Sequence, residues 1–347
     1  MKNFGYNLAR LWVKIGLYLY FGKIKVSGLS HIPKDKPVLF LSNHQNALLD
    51  VLLIGIDCNR KPYFLTRADV FESPILKAIF DIFQMIPIYR IRDGRESLKK
   101  NQEVFDRCAD LLQNKQAILM FPEANHNLMR RVRPLSKGFT RIIFNALDID
   151  PDLDIQLVPV GLNYSDATKF PSRVALFFGD AISVQDHYDP SDEKTAIDDI
   201  KKAVSKKLKT LTTHIEDNDT YNETIKVLDA VDVDYLNPQS VNSKLQNLTT
   251  INRAPTVKNK SAKAFKALFT VLNLPIVLIW RIFIRSKVPE PEFMDTMRYG
   301  FAMLSYPVYY FLMFVTLGRA FGYAASLLVI FGLFIFNWGY VRFLGSS

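Results

Sequence analysis

The stretch Val38-Leu-Phe-Leu-Ser-Asn-His44-Gln-Asn-Ala-Leu-Leu-Asp50 sets the frame for the whole chain. Val38 to Leu41 is a short apolar run entered through Pro37, the mark of a buried strand. Ser42 and Asn43 follow, residue types that begin helices well, and apolar positions resume from Ala47 to Leu49 and continue to Ile54. A histidine where a buried strand passes into a helix is held rigidly, with its ring toward a cleft. Asp50 is placed to fix one ring nitrogen and leave the other free as a base. A lone histidine here equally caps a helix, so the reading depends on two further segments, Phe121-Pro-Glu123 and Val158-Pro-Val160.

With those segments the chain resembles the glycerolipid acyltransferase family, whose members acylate glycerol 3-phosphate or lysophospholipids. The family signature runs Asn-His, a short spacer and Asp, then an Arg-bearing segment, Phe-Pro-Glu-Gly, and Val-Pro. All four occur here in order over roughly residues 38 to 164. The resemblance implies His44 as general base oriented by Asp50, and Arg90 first and Arg92 second as ligands of the acceptor's phosphate. It places Glu123 near the acceptor's hydroxyl and headgroup. Two features depart from the pattern. The spacer between His44 and Asp50 is five residues where four is usual, and Ala124-Asn125-His126 replaces the common Gly-Thr-Arg-Ser. Were a helix to begin at Asn43, His44 and Asp50 would lie about 120° apart around it. Their pairing therefore needs a turn inside the motif, or Asp50 caps something else.

Charge is unevenly spread along the 347 residues. The net +10 is exceeded by the two ends: the first 30 residues carry five basic groups and no acid, and Arg253 onward carries 11 basic and three acidic. Basic charge thus lies beside apolar segments, which suits anionic lipid headgroups rather than a nucleic-acid groove. Cys58 and Cys108 sit in core-like helical segments and are expected to be reduced thiols. No Cys-His cluster has metal-ligand spacing, so neither a metal nor a bound cofactor is expected.

Residues 3 to 21 read as an amphipathic helix with Leu8, Leu11, Trp12, Ile15 and Leu19 on one stripe, either lying in a membrane interface or covering the core. Strands are expected at 23–28, 38–41, 62–66, 86–92, 117–121, 155–160 and 173–178, the sixth with Pro159 at an edge or strand end. Helices are expected to 56, at 71–83, 97–114 and 139–146. This alternation predicts an α/β domain with a mixed, mostly parallel sheet and helices on both faces. Ile86, Ile88, Arg90 and Arg92 share one strand face, so two guanidinium forks can address one anion. Glu123 falls just past a strand's C-terminal end, where such sheets place ligands. His126 beside it is a substrate contact or a surface histidine. The basic run from Arg130 through Arg133 to Lys137 rims the same cleft, facing either donor phosphates or anionic lipid. Asn43 and the amides around it are candidates for the substrate's developing oxyanion.

The domains expected are an interfacial helix over 1–22, an acyltransferase domain over 23–215, a helical and linker region over 216–262 and a membrane segment over 263–347. Within the last, 265–284 is apolar but broken by Pro275 and Arg281, favouring an interfacial or re-entrant helix. Residues 301–317 and 321–340 read as a transmembrane hairpin turning at Gly318 to Ala320, with Trp338, Tyr306, Tyr309 and Tyr340 in interfacial belts. Arg298 and Arg342 share one side, which the positive-inside rule makes cytoplasmic, along with the catalytic domain.

The activity expected is acyl transfer from acyl-CoA or acyl-carrier protein, as co-substrate, to lysophosphatidate or glycerol 3-phosphate at the bilayer. No Gly-x-Ser-x-Gly nucleophile elbow is present, in keeping with direct attack by the acceptor hydroxyl. Two alternatives stand beside it: acylation of another lyso-lipid, such as an amino-acid lipid, and a non-catalytic lipid-binding protein.

Overall fold

A computed structural model describes residues 2–71, 80–89, 95–216, 219–246 and 260–346. The central strand β2 (Val38–Ser42) is buried along its whole length, between β5 (Ala117–Met120) and β6 (Gln156–Tyr164). Val38 and Phe40 face one core, Leu39 and Leu41 the other, which is why the strand reads as an unbroken apolar run. Among the described residues the sheet has eight strands. Beyond β5 lie β3 (Tyr63–Arg67) and β4 (Met85–Ile88), and beyond β6 lie β7 (Arg173–Phe178) and β1 (Lys23–Ser27). A short β8 (Ile182–Ser183) also pairs with β6. Pairing is parallel except where β6 meets β7 and β8.

Helices α1 (Lys2–Tyr20) and α2 (Ala47–Asp57) cover the first face, contributing Val13, Leu17, Leu49 and Leu53. Helices α3 (Arg95–Gln113), α4 (Gly138–Leu147) and α5 (Glu193–Leu211) cover the second through Cys108, Ile142 and Ile200. Both cysteines are free and buried, and burial pushes the Cys58 thiol up to about 11 and that of Cys108 to about 12.

Four local expectations are corrected. Pro159 is not at an edge: β6 is central, and Pro159 pairs with Leu41. It is tolerated because its carbonyl accepts from Gly179 N, so its missing N–H falls at the break between β7 and β8. The hairpin turns at Gly322, not at Gly318 to Ala320, which remain helical. A φ of 88° there suits only glycine well, whereas Gly318 is the small position against which Tyr323 packs. Tyr340 stacks on Phe269 at 4.0 Å and is buried, so it packs the membrane helices together instead of joining a belt. The polar linker ends sooner than expected, since a helix already begins at Lys260. Most of the helix expected at 71–83 lies outside the described residues, as do Arg90 and Arg92.

The C-terminal part holds α8 (Lys260–Leu272) and α9 (Leu274–Ile279), whose helical stretches meet at a 92° bend. Two further helices, α10 (Met294–Phe321) and α11 (Tyr323–Ser346), are long and apolar enough to cross a membrane. They dock on the rest of the chain at one end. Arg342 donates to the carbonyls of Tyr18 and Gly22, and Arg298 to that of Thr168. A Cβ on Gly22 would stand 2.5 Å from the Gly345 Cα, so this seam requires glycine on both sides.

Candidate active site

The turn that the His44–Asp50 spacing demands is present. Residues 43–46 are not helical, α2 begins at Ala47, and Ala47 carries a φ of 30°. This brings His44 Nδ1 to 2.8 Å from Asp50 Oδ2, which also accepts the backbone N–H groups of Gln45 and Asn46, each at 2.8 Å. Asp50 therefore orients the imidazole and caps its own helix at once. Its Oδ1 accepts the Tyr164 hydroxyl at 2.5 Å, and its carboxylate is fully buried. With Nδ1–H donated to Asp50, His44 Nε2 is the basic nitrogen, and it has no protein partner among the described residues. The ring stacks on Phe121 at 3.9 Å and keeps 14% of its side chain exposed.

Glu123 follows β5 in a tight loop where Ala124 has a φ of 66°, at the place where the family pattern carries glycine. Its two oxygens are occupied by Arg133, through the backbone N–H at 3.1 Å, Nε at 3.1 Å and Nη2 at 2.9 Å. Burial raises the Glu123 carboxyl pKa above the usual range, and the bonds from Arg133 work against that rise. Arg133 is thus a partner of Glu123 and not a free cation on the cleft rim. Arg130 is also structural: it donates to the Tyr164 and Ser165 carbonyls and lies 3.5 Å over the Tyr235 ring. Lys137 is exposed at the start of α4 and makes no described contact with His44.

Asn43 is turned into the sheet. Its amide bridges both backbone groups of Leu162, with Nδ2 donating to the carbonyl and Oδ1 accepting the N–H, so it rivets β2 to β6. The amides of Gln45 and Asn46 serve Asp50, which removes them as oxyanion donors.

His126 stands edge-on to His44 at 5.6 Å and bonds Glu290 at 2.8 Å, and Phe293 packs edge-on to it at 4.9 Å. Glu290 and Phe293 come from the segment leading into α10, 164 residues away from His126 in the case of Glu290. No local pattern joins such distant positions, so sequence reading could not find them. His126, Glu290 and Glu292 also have ligand atoms within 4.8 Å of one another, the group among the described residues able to hold a cation.

A mixed α/β sheet with a histidine–aspartate pair at the end of its central strand defines the class. Residues 23–163 match the family described as Acyltransferase. The chain is 26% identical over 162 residues to 1-acyl-sn-glycerol-3-phosphate acyltransferase LPAT1, chloroplastic, of Arabidopsis thaliana, covering 46% of this chain and 41% of that protein. It is 30% identical over 240 residues to glycerol-3-phosphate O-acyltransferase 2 of Saccharomyces cerevisiae, covering 66% of this chain and 30% of that one. The chain thus spans well under half the length of these relatives. The crystal structure of the 1-acyl-sn-glycerophosphate acyltransferase PlsC from Thermotoga maritima superposes with a TM-score of 0.43 at 16% identity, covering 60% of this chain and 81% of that one.

Proposed function

We propose that this protein is a membrane-bound acyltransferase that moves a fatty acyl group from a thioester donor to a hydroxyl of lysophosphatidate or glycerol 3-phosphate. The observation that carries the reading is the 2.8 Å bond between His44 Nδ1 and a buried Asp50, which leaves Nε2 as a base at the mouth of a parallel sheet. The acceptor O–H gives its proton to Nε2 as its oxygen attacks the thioester carbonyl. The intermediate then expels the thiolate, which takes the proton back from the imidazolium and leaves as thiol. Asp50 holds the tautomer and supports the transient imidazolium. Arg90 and Arg92 are the groups we assign to the acceptor phosphate, converting its binding into orientation of the hydroxyl. Coenzyme A or an acyl-carrier protein is the donor, and the catalytic domain faces the cytoplasm. Relatives named for each acceptor support both, and the longer match, to a glycerol-3-phosphate enzyme, extends beyond the acyltransferase domain.

Thioester consumption measured with glycerol 3-phosphate, with lysophosphatidate and with no acceptor tests this. Acceptor-dependent thiol release is expected for one or both. His44→Ala reduces it to background and Asp50→Asn lowers it by roughly 10²- to 10⁴-fold. Undiminished turnover in folded His44→Ala defeats the mechanism.

A further inference from the structure

Arg130 and Arg133, two cations of the run expected to rim the cleft toward the donor, are spent on Tyr164, Ser165 and Glu123. Cationic charge gathers just past them instead. A groove of about 1270 Å³ is lined by α5, by Pro134 and Leu135 of that run, and by a short helix α7 (Pro238–Leu245). Lys202, Lys206 and Lys209 recur in it at four- and three-residue steps, with Lys201 beside them. That spacing sets the lysines on one side of α5 along about 12 Å. Asp198 is the one acid among the described residues of the lining. Lys202 meets Asp199 at 3.4 Å and Lys209 meets Glu216 at 3.9 Å, exposed pairs that are weak in water. Lys201 and Lys206 pair with no acid among the described residues.

The groove is held open by specific bonds and sits at the catalytic end of the sheet. Asn242 of α7 donates to the carbonyls of Lys209 and Thr212 and accepts the His214 N–H, which rivets α7 to the end of α5. Asn163, one residue beyond the Leu162 that Asn43 grips, donates to the Leu211 carbonyl. On the other side Ser136 N donates to the Pro122 carbonyl at 2.8 Å, next to Glu123. Helix α5 packs on the second face of the sheet through Ile200 and Leu208, whereas α10 packs on the first through Tyr299. The lysines therefore lie across the sheet from the membrane helices, on a side open to a soluble partner.

The two donor types share a pantetheine thioester and differ in what carries it, a phosphorylated adenosine or an acidic protein. No Phe, Tyr or Trp is among the described residues of the lining, so a purine ring has no aromatic face to stack on. Point charges spaced along a helix suit carboxylates spaced along a partner helix. Residues 247–259, which follow α7 in the chain, carry Arg253 and Lys258 and no acid, so the counter-charge comes from another molecule. We propose that this groove docks an acidic helix of an acyl-carrier protein, whose thioester arm enters past Pro134 and Leu135. This rests on the acyl-transfer reading above and names its donor.

The test uses the full chain in phosphatidylcholine vesicles, with glycerol 3-phosphate and lysophosphatidate supplied and palmitoyl-acyl-carrier protein or palmitoyl-coenzyme A as donor. The variant is Lys201→Glu with Lys206→Glu. Its KM for the carrier donor is expected to rise about tenfold or more, and added salt should weaken that donor's kcat/KM less than it does in the parent. Its KM for palmitoyl-coenzyme A holds, which also reports an intact fold. An equal rise for both donors overturns the proposal, as does no rise for either, or a parent that uses the coenzyme A donor alone. So does binding to phosphatidylglycerol vesicles that the variant loses while its carrier KM stays put, since the groove is then a lipid surface. Fluorescence anisotropy of labelled carrier protein separates this proposal from the reading beneath it. A parent inert with both donors that binds the carrier, and loses it in the variant, supports the groove and defeats the acyl-transfer reading.

Discussion

A carboxylate with only 2% of its side chain exposed keeps its charge through a close cation, and for Glu123 that cation is Arg133. Two roles for Arg133 separate on this point. As the partner of Glu123, its replacement by Met strands a buried charge and lowers stability by about 3–5 kcal/mol. As a free ligand of donor phosphates, it would leave stability intact and raise only the donor's KM. Denaturant unfolding of Arg133→Met is expected to show the first outcome. The sign with pH also follows: Glu123 has a raised pKa even with Arg133 present, so its native form holds its proton above 4.5 where the unfolded chain has released it. Stability therefore declines as pH rises from that value through the folded pKa, and more so in the variant, where the offsetting bonds are gone. That His44 and Asp50 could pair was legible, because strand, turn and helix start are local patterns. What Asn43 and Arg133 do was not. Asn43 is claimed by Leu162, 119 residues on, and Arg133 by Glu123 across a loop whose course depends on Ala124.

The elements beyond the sheet act as a clamp on the loop that carries Arg133. In sequence they are charged helices without nameable chemistry; folded, α6 (Tyr221–Ala230) supplies the Tyr221 hydroxyl that accepts the Arg130 N–H. Just after α5, Ile215 N donates to the Arg130 carbonyl, and His214 Nδ1 accepts the Val132 N–H at 3.0 Å. Burial, with Lys209 and Arg131 nearby, lowers the His214 pKa below 6.5 against the opposing pull of Glu216. The neutral ring is the form that accepts from Val132. A depressed histidine contributes stability that is complete above the unfolded value of about 6.5 and is lost as pH falls toward the folded one. His214→Asn keeps an acceptor oxygen near Nδ1 but cannot titrate, so its melting temperature should fall less between pH 7 and 5 than the parent's. Parallel slopes would remove His214 from this role. The clamp was hidden because each contact joins segments more than 80 residues apart. The sheet itself was legible, since burial on both faces writes apolar runs into the sequence. Pro159 misled because an edge and an internal break in pairing both free a strand of one N–H.

At the scale of the whole molecule, the lengths of the elements fix the depth of the site. Helix α10 has 28 residues, about 42 Å at 1.5 Å each, against a hydrocarbon core of about 30 Å. At its head, Asp295 and Tyr299 bond to α1, through the Tyr20 hydroxyl and the Val13 carbonyl, and Thr296 accepts the Leu49 N–H of α2. On the membrane-bound reading proposed above, this anchoring sets the sheet and His44 near the lipid headgroups. Helix α1 fits that placement. Its inner face packs through Val13, Leu17 and Tyr20, and Arg10 and Lys14 bond inward to Ile56, Cys58 and Asp57. Leu8, Leu11, Trp12 and Ile15 remain outside, each at least half exposed. The sequence showed this stripe and the hairpin; it could not show that α1 covers the core and leaves an apolar stripe exposed at once, since that needs the partner surface. Leu8→Glu with Trp12→Glu leaves every inward contact in place and opposes insertion of the outer face. With a soluble short-chain thioester donor in vesicles, turnover of bilayer-resident lysophosphatidate is expected to fall several-fold, while turnover of water-soluble glycerol 3-phosphate holds. An equal fall for both acceptors would mean that the stripe supports the fold, and no change for either would mean that it never meets the membrane.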